Sequence, residues 1–119
     1  MKPFSLKRFE ELTTKFKLMN PIFIIGDVGL DKYTHGNVSR ISPEAPVPVV
    51  EVTKEWLKLG LAANVSHNLA TLGVASSLCS VIGEDKNGAE LESQLEEIKQ
   101  KTWGLVHDAS RPTTYKERV

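Results

Sequence analysis

The segment IFIIGDVGLD, residues 22–31, decides the fold of this chain. Its first four residues form a short apolar run rich in β-branched side chains, which is typical of a strand buried on both faces of a parallel sheet. Gly26-Asp27 ends the run, and a second glycine and aspartate follow at Gly29 and Asp31. Open parallel sheets bind ligands beyond the carboxyl ends of their strands, so the segment also predicts where a binding site would lie.

Helices and strands are predicted to alternate after residue 60. Residues 61–72 form an amphipathic helix that ends at Gly73. Apolar runs predict strands at 74–82 and 103–107, with an acidic amphipathic helix over 88–101 between them. The first of these helices is expected to bury one apolar face: Leu61, Val65, Leu69 and Leu72. This alternation is typical of an α/β fold, a parallel sheet with right-handed crossovers.

The remaining segments are expected to lie outside this sheet. Residues 4–18 predict a helix packed on the domain, because three apolar residues recur at helical spacing: Phe9, Leu12 and Phe16. Residues 32–46 are rich in turn formers. Two prolines around Val47 limit residues 46–52 to an edge or lid strand. Residues 113–119 begin another extended segment.

The composition excludes several classes of protein. The chain has 119 residues, 40% hydrophobic and 25% charged, enough for one modest domain, and its 15 basic residues balance 15 acidic ones. Neutral charge gives no reason to expect nucleic acid or a membrane surface as a partner. One cysteine, Cys79, allows no disulfide framework, and the three histidines lack metal-ligand spacing, so no metal site is expected. The N-terminus lacks the apolar core of a signal peptide, and a cytoplasmic location is expected.

Candidate binding residues stand where strands end and helices begin. Asp31 has two carboxylate oxygens that can accept hydrogen bonds from vicinal sugar hydroxyls, and Gly29 lets a ligand approach the backbone. The alternative is that Asp31 caps a turn. Gly60 and Asn64 stand at a helix start, where backbone N–H groups and an amide can hold a hydroxylated ligand, or where they are an ordinary polar helix start.

Two further segments carry charged residues. In residues 113–119 Lys116 and Arg118 share one face of an extended segment, and Lys116 lines an anionic pocket or faces solvent. The turn GEDKNG, residues 83–88, favours a structural role in which Asp85 or Asn87 caps the next helix. No Walker-type phosphate loop occurs in the chain.

Three segments in sequence order resemble the N-terminal half of the ribokinase-like (PfkB-type) sugar kinases: residues 22–31, 39–50 and 60–73. The middle one, SRISPEAPVPVV, resembles the D-glycero-β-D-manno-heptose 7-phosphate kinases in particular. The turn GEDKNG is similar to the Gly-x-Asp-x-x-Gly turn of the family. Relatives of this type usually have two adjacent glycines where this chain has Gly60-Leu61, so a side chain stands where a ligand would approach.

The resemblance implies a ribokinase-like parallel sheet with flanking helices and a small β lid over the sugar. It implies phosphoryl transfer from ATP, with Mg²⁺, to a sugar phosphate in ADP-heptose and lipopolysaccharide core biosynthesis. Asp31 then binds substrate hydroxyls, and Arg40 either meets the 7-phosphate or pairs with Glu44 at the surface. The expected substrate-binding residues are Asp31, Gly29, Gly60, Asn64, Arg40 and Lys116.

The resemblance also implies that the substrate-binding and catalytic residues lie in different parts of the kinase sequence. In the family the catalytic base and the ATP-binding loop come late, and nothing here matches them. Residues 1–119 are therefore expected to be the N-terminal part of one kinase domain, inactive alone, with lid strands at 32–52 and 113–119. Because lids of related kinases often pair between subunits, a homodimer through the lid strands is expected. Two alternatives stay open: another PfkB-type kinase, acting on ribose, fructose phosphate or a nucleoside, or a non-catalytic half-domain that binds a partner through its open sheet.

Overall fold

The computed structural model describes residues 5–119, which form three helices and two three-stranded sheets. In chain order the elements are α1 (Leu6–Phe16), β1 (Ile22–Ile25), β2 (Val28–Ile41), β3 (Pro48–Gly60), α2 (Leu61–Thr71), β4 (Ser76–Ile82), α3 (Lys86–Glu97), β5 (Leu105–His107) and β6 (Thr114–Arg118). The central sheet has the order β1-β4-β5 and is parallel throughout. The lid sheet has the order β3-β2-β6, with β2 antiparallel to β3 and parallel to β6.

The core lies between one face of the central sheet, the helices α2 and α3, and the base of the lid sheet. Each of these elements contributes apolar side chains that are almost wholly buried: Ile24, Val28, Leu30, Leu59, Ala63, Leu78, Ile82, Leu91, Leu95 and Leu105. Residues of both sheets therefore share one core, and this fixes the lid strands against the central sheet at their inner ends.

The other face of the central sheet is uncovered in residues 5–119. Phe23 and Ile25 in β1 are 58% and 74% exposed, and Val81 and Val106 on the neighbouring strands are also exposed. The prediction that residues 22–25 are buried on both faces is therefore wrong for this chain. The reason is that α2 and α3 both pack on the face that carries Ile24.

The hairpin of β2 and β3 occupies the stretch expected to hold lid strands, residues 32–52, and extends beyond it at both ends. Pairing runs from Gly29–Gly60 to Ile41–Pro48, so the turn-forming residues of β2 are held in a strand by their antiparallel partner. Two register shifts occur, after His35 and after Val38. Gly36 lies at the first shift, where an added Cβ would come 2.4 Å from the carbonyl oxygen of Glu51. A glycine that looks like a turn signal in the sequence here serves a β-bulge.

Helix α2 forms as predicted but buries a different face. Gly73, at φ +76°, follows the helix as its terminating residue. The buried residues are Ala63 and Ser66, and of the predicted face Leu69 packs partly buried against the core, whereas Leu61, Val65 and Leu72 are 45–55% exposed. Ser66 faces inward because its hydroxyl meets Ser76 and the buried Gln100. Small side chains let the helix lie close to β4, and the polar cluster satisfies the buried hydroxyl.

Two peripheral predictions are corrected. Helix α1 lies within residues 4–18 as predicted, but it has no buried residue, so it is not packed into the domain. Trp103, predicted to begin a strand, is 71% exposed and precedes β5, which starts at Leu105. None of the helices in residues 5–119 has the length and apolar content needed to cross a bilayer.

Candidate functional site

Asp31 lies inside strand β2, with β3 on one side of it and β6 on the other. Its cross-strand neighbours are Lys58 on β3 and Lys116 on β6. The alternative in which Asp31 caps a turn is therefore wrong, since the turn ends before Val28. Asp27 does lie in that turn, and its main-chain carbonyl accepts a hydrogen bond from the N–H of Ala62 at the start of α2.

A small pocket of about 60 Å³ adjoins Asp31 at the junction of the lid sheet and α2. Its lining includes four of the predicted site residues among seven in all: Gly29, Leu30, Asp31, Gly60, Leu61, Thr114 and Lys116. Both glycines are needed for close packing. A Cβ on Gly29 would lie 2.7 Å from the carbonyl oxygen of Thr114, and one on Gly60 would lie 3.0 Å from Asp31 Oδ2. The absence of side chains here brings the strands and the carboxylate together.

Arg118 holds the carboxylate of Asp31. Its Nη1 donates a hydrogen bond of 2.7 Å to Asp31 Oδ1, and this contact raises the pKa of the guanidinium. The two side chains remain 43% and 25% exposed, so the pair is open to solvent and to ligands. Asp31 is thereby fixed in orientation by a partner that a ligand can replace.

An aromatic pair extends the site along the same face of the lid. Tyr33 and Trp56 stack with ring centroids 5.4 Å apart and planes 9° from parallel. Lys58 Nζ and Arg118 Cζ each lie 5.4 Å from the centre of the Tyr33 ring, and Lys54 Nζ lies 5.3 Å from that of Trp56. Residues 53–59 were not assigned any site role from the sequence. Their signal was the alternation of Lys54, Trp56 and Lys58, which places all three on one face of a strand.

The opposite face of the lid carries a separate ionic network. Lys32 Nζ lies 2.6 Å from Glu55 Oε1 and 3.1 Å from Glu117 Oε1, and Thr34 donates to both carboxylates. These hydrogen bonds raise the pKa of Lys32 above its ordinary range and lower the pKa values of Glu55 and Glu117. The network joins all three lid strands, and within residues 5–119 the cations on the Asp31 face make one ion pair, that of Arg118 with Asp31.

Two predicted residues lie apart from this pocket. Asn64 is exposed and lines a different groove of about 510 Å³ between β3, α2 and α3, so it does not share the pocket beside Asp31. Burial of Ala63 and Ser66 fixes the rotation of α2 and turns Asn64 away. Arg40 is exposed, nine positions along β2 from Asp31, which corresponds to roughly 30 Å at about 3.3 Å per residue.

Leu61 has a backbone conformation that favours glycine. Its φ is +55°, and it begins α2 at the edge of the pocket with its side chain 55% exposed. A residue with a Cβ is disfavoured in this region by about 1–2 kcal/mol. The sequence difference at this position, leucine in place of a second glycine, is therefore a site of local strain beside Asp31.

Asp85 joins the turn after β4 to the start of lid strand β6. Its Oδ1 accepts from the N–H of Gly88, which confirms the predicted cap of α3. Its Oδ2 accepts from the N–H of Thr113, and the Thr113 hydroxyl in turn accepts from the N–H of Gly83. The bonds from Thr113 and then Gly88 hold the pKa of the Asp85 carboxyl below its usual range. This contact, missed in the sequence, fixes the strand that carries Lys116 and Arg118.

The described residues do not fit a magnesium–nucleotide complex. In residues 5–119 no three His, Cys, Asp or Glu side chains cluster as metal ligands. The helix N-termini of α2 and α3, which could otherwise receive phosphates, each have a carboxylate beside them, Asp31 and Asp85. At α3 the Asp85 carboxylate already accepts from the N–H of Gly88, so that group is not free for a phosphate.

Comparison with known proteins identifies relatives of the chain. The family described as pfkB family carbohydrate kinase matches residues 19–116. The chain is 53% identical over 96 residues to the Bifunctional protein HldE of Citrifermentans bemidjiense, covering 81% of the chain and 20% of that protein. It is 48% identical over 98 residues to the D-beta-D-heptose 7-phosphate kinase of Bordetella bronchiseptica, covering 82% and 31%. The chain thus spans a fifth to a third of these curated relatives.

Solved structures show the same arrangement of elements. A fructokinase from Xylella fastidiosa matches with a TM-score of 0.62 at 21% identity, covering 82% of this chain and 27% of that one. A ribokinase from Cryptococcus neoformans matches with a TM-score of 0.60 at 21% identity, covering 83% and 30%. The predicted fold class is confirmed: the chain has part of a ribokinase-like fold. By the match over residues 19–116, the chain belongs to the pfkB family of carbohydrate kinases.

Proposed function

We propose that this chain carries the acceptor side of an ATP-dependent carbohydrate kinase, and that the acceptor is heptose 7-phosphate. One observation carries the proposal: Asp31, Gly29, Gly60 and Lys116 line a single pocket where the lid sheet meets α2. The names of the relatives, which are 53% and 48% identical to this chain over the aligned 96 and 98 residues, support the choice of sugar.

The roles follow from the chemistry of each side chain. Asp31 accepts hydrogen bonds from vicinal hydroxyls, for which the carboxylate has free lone pairs beyond the one that Arg118 occupies. Lys116, the cross-strand neighbour of Asp31, supplies positive charge at the pocket. Leu61 lines the pocket on the helix side. These residues bind and orient the sugar, and none of them is assigned a proton transfer.

Phosphoryl transfer from ATP with Mg²⁺ is part of the proposal only at the level of the family. A bound nucleotide would supply the γ-phosphoryl group, and the described residues do not fit it, so we assign no step of the transfer to them. Synthesis of ADP-heptose for the lipopolysaccharide core, in the cytoplasm, is the pathway that this substrate would serve. Asn64 and Arg40 remain candidates for contacts outside the pocket.

A second candidate function is a non-catalytic half-domain that binds a protein partner. It is favoured by the uncovered face of the central sheet, where Phe23 and Ile25 are 58% and 74% exposed. The two functions are distinguished by ligand: the first requires a sugar phosphate that binds at Asp31. The second requires no sugar affinity and a partner whose binding is abolished by Ile25→Glu.

The test is equilibrium binding of heptose 7-phosphate to the 119-residue chain by calorimetry, with ribose and adenosine as competitors of other kinase classes. Asp31→Asn should weaken binding about tenfold or more, because a hydrogen bond to a charged group is lost. Asp27→Asn is the matched control, since Asp27 is an exposed aspartate four positions earlier, outside the pocket. Equal affinity of wild type and Asp31→Asn would overturn the proposed site.

A further inference from the structure

We infer that Lys58, Lys116 and Arg118, backed by the Tyr33–Trp56 stack, form a subsite for the phosphate group of the acceptor sugar. This inference deepens the proposed function and rests on it. It assigns a binding role to Lys58, Tyr33, Trp56 and Arg118, and it places the anionic end of the substrate on the lid.

The first argument is the charge of this face. In residues 29–35, 54–60 and 114–118, the face that carries Asp31 presents four cations and one carboxylate: Lys54, Lys58, Lys116, Arg118 and Asp31. On the reverse face Lys32 is balanced by Glu55 and Glu117. A surface on which only one of four cations has an acidic partner attracts an anion.

The second argument is the register. Lys58 and Lys116 flank Asp31 as direct neighbours on the two adjacent strands. Direct neighbours of this kind have Cβ atoms about 5 Å apart. An anion held by these lysines therefore lies within one small molecule's length of a carboxylate suited to hydroxyls. A ligand with both a phosphate and vicinal hydroxyls satisfies both groups at once.

The third argument is preorganisation by the aromatic pair. The Tyr33 ring lies 5.4 Å from both Lys58 Nζ and Arg118 Cζ. Cation–π contacts hold the two charges above a half-buried ring that itself stacks on Trp56. Because the cations are already ordered, less side-chain entropy is lost when an anion binds. The planar fork of Arg118 also suits two oxygens of one phosphate.

Arg118 couples the two ends of the ligand. It donates to Asp31 Oδ1 at 2.7 Å, the atom that would receive a sugar hydroxyl. A phosphate that engages the guanidinium releases this oxygen for the hydroxyl, whereas a sugar without phosphate must compete with Arg118 for it. The geometry thus favours the phosphorylated sugar over the free sugar at Asp31.

The experiment compares heptose 7-phosphate with unphosphorylated heptose, and uses inorganic phosphate as a third probe, by calorimetry on the 119-residue chain. Wild type should prefer the phosphorylated sugar by about a hundredfold, and the double variant Lys58→Met/Arg118→Met should lose at least tenfold of that preference. Lys7→Met/Lys101→Met, which replaces two exposed lysines outside the lid, removes the same net charge and should keep the preference. Inorganic phosphate should shift the amide resonances of Lys58 and Arg118.

The outcomes separate the two proposals. Equal binding of both heptoses to wild type, or an unchanged preference in the double variant, overturns the subsite while the sugar-binding function stands. Failure of both heptoses to bind overturns the proposed function and this inference together. If the double variant loses its cooperative thermal transition, residues 19–119 are grafted into the Bordetella bronchiseptica kinase with and without the two substitutions, and the ratio of KM values for the two sugars answers the same question.

Discussion

Arg118 and Asp31 form a 2.7 Å hydrogen-bonded ion pair although 87 positions separate them in the sequence. The pair joins the last strand of the lid sheet to its middle strand. The pocket that adjoins it draws residues from β2, β3, α2 and β6. The candidate site is therefore a product of the tertiary fold, and no single motif contains it.

Replacing Asp31 should remove sugar binding but leave the domain folded. The side chain is partly exposed at the surface of the lid, and an exposed ion pair adds little stability. Asp31→Ala should thus retain a cooperative thermal transition close to that of wild type. Leu30→Ala is the neighbouring control: Leu30 is 1% exposed, and its truncation should cost about 2–5 kcal/mol. Loss of the transition in Asp31→Ala would assign this residue to the structure instead of the site.

Leu61→Gly should leave stability unchanged or raise it by about 1 kcal/mol. Glycine relieves the left-handed conformation at φ +55°, and this gain exceeds the entropy it adds to the unfolded chain. Val65→Gly is a matched control, because Val65 lies in the same helix and is 48% exposed, against 55% for Leu61. The control should lose about 1 kcal/mol. Chemical denaturation measures the free energy of unfolding of both variants. Equal losses in that free energy would show that the backbone at Leu61 is unstrained.

Asp85→Asn should destabilise the chain by about 1–3 kcal/mol at neutral pH. An amide has one acceptor oxygen where the carboxylate has two, so the buried N–H groups of Thr113 and Gly88 cannot both be satisfied. The folded-state pKa of Asp85 is lowered from 3.8, so its stabilising effect is complete above about pH 5. It is lost as the pH falls through 3.8 and the lower folded-state pKa. The difference in free energy of unfolding between wild type and Asp85→Asn, measured by denaturation at several pH values, should become smaller over that pH range.

Asp108→Asn provides the comparison for this effect. Hydrogen bonds from Ser110 also lower the pKa of Asp108, but both groups belong to one exposed turn. The Asp108 variant should therefore lose less stability than the Asp85 variant at every pH. If the Asp108 variant lost more stability than the Asp85 variant, the hydrogen bond from Thr113 to Asp85 would contribute little to the free energy of unfolding.

The sequence was sufficient for the central sheet and its helices, because their signals are local. The apolar run of β1, the periodicity of α3 and the glycine after α2 each depend on neighbouring residues. The strand character of residues 32–41 was expected only from the family resemblance, because these residues are rich in turn formers and are held in a strand by pairing with β3, which overrides turn propensity. The buried face of α2 was missed because its small residues, Ala63 and Ser66, are buried by packing against β4 and carry no strong apolar signal in the sequence.

The site was predictable only in part for the same reason. Asp31, Gly29, Gly60 and Lys116 were found by residue type and order, and they do line one pocket. Arg118 was placed on the correct face, but its bond to Asp31 depends on the parallel register of β6 with β2. Lys58 and Trp56 become neighbours of Asp31 and Tyr33 only through the hairpin register, which the sequence does not reveal.

The chain alone should not transfer phosphate from ATP to heptose 7-phosphate. Residues 5–119 contain no cluster of three potential metal ligands. A coupled assay for ADP release measures this directly. A rate within a few orders of magnitude of ordinary kinases, about 1–100 per second, would contradict the prediction.

The folded chain should self-associate through its lid strands. Apolar side chains near the hairpin tip are 50–67% exposed: Val38, Ile41, Val47 and Val52. Covering each 100 Å² of such surface is worth about 2.5 kcal/mol. Light scattering at micromolar concentration should show a dimer that Ile41→Glu/Val52→Glu converts to a monomer. Phe23→Glu tests the central sheet instead; if only this variant dissociates the dimer, or if wild type is a stable monomer, the lid is not the contact.

The position of β6 also sets the order in which the site matures during synthesis. The β2–β3 hairpin is complete once Gly60 has been added, but Asp31 lacks Arg118 and Lys32 lacks Glu117 until β6 arrives. At about 5–20 residues per second the ribosome needs roughly 3–12 s for that interval. For those seconds the edge of β2 that β6 will cover is open to any other extended chain. A nascent chain stalled before Thr114 would therefore expose an unpaired β2 edge that can bind other extended chains, and it would lack the pocket beside Asp31.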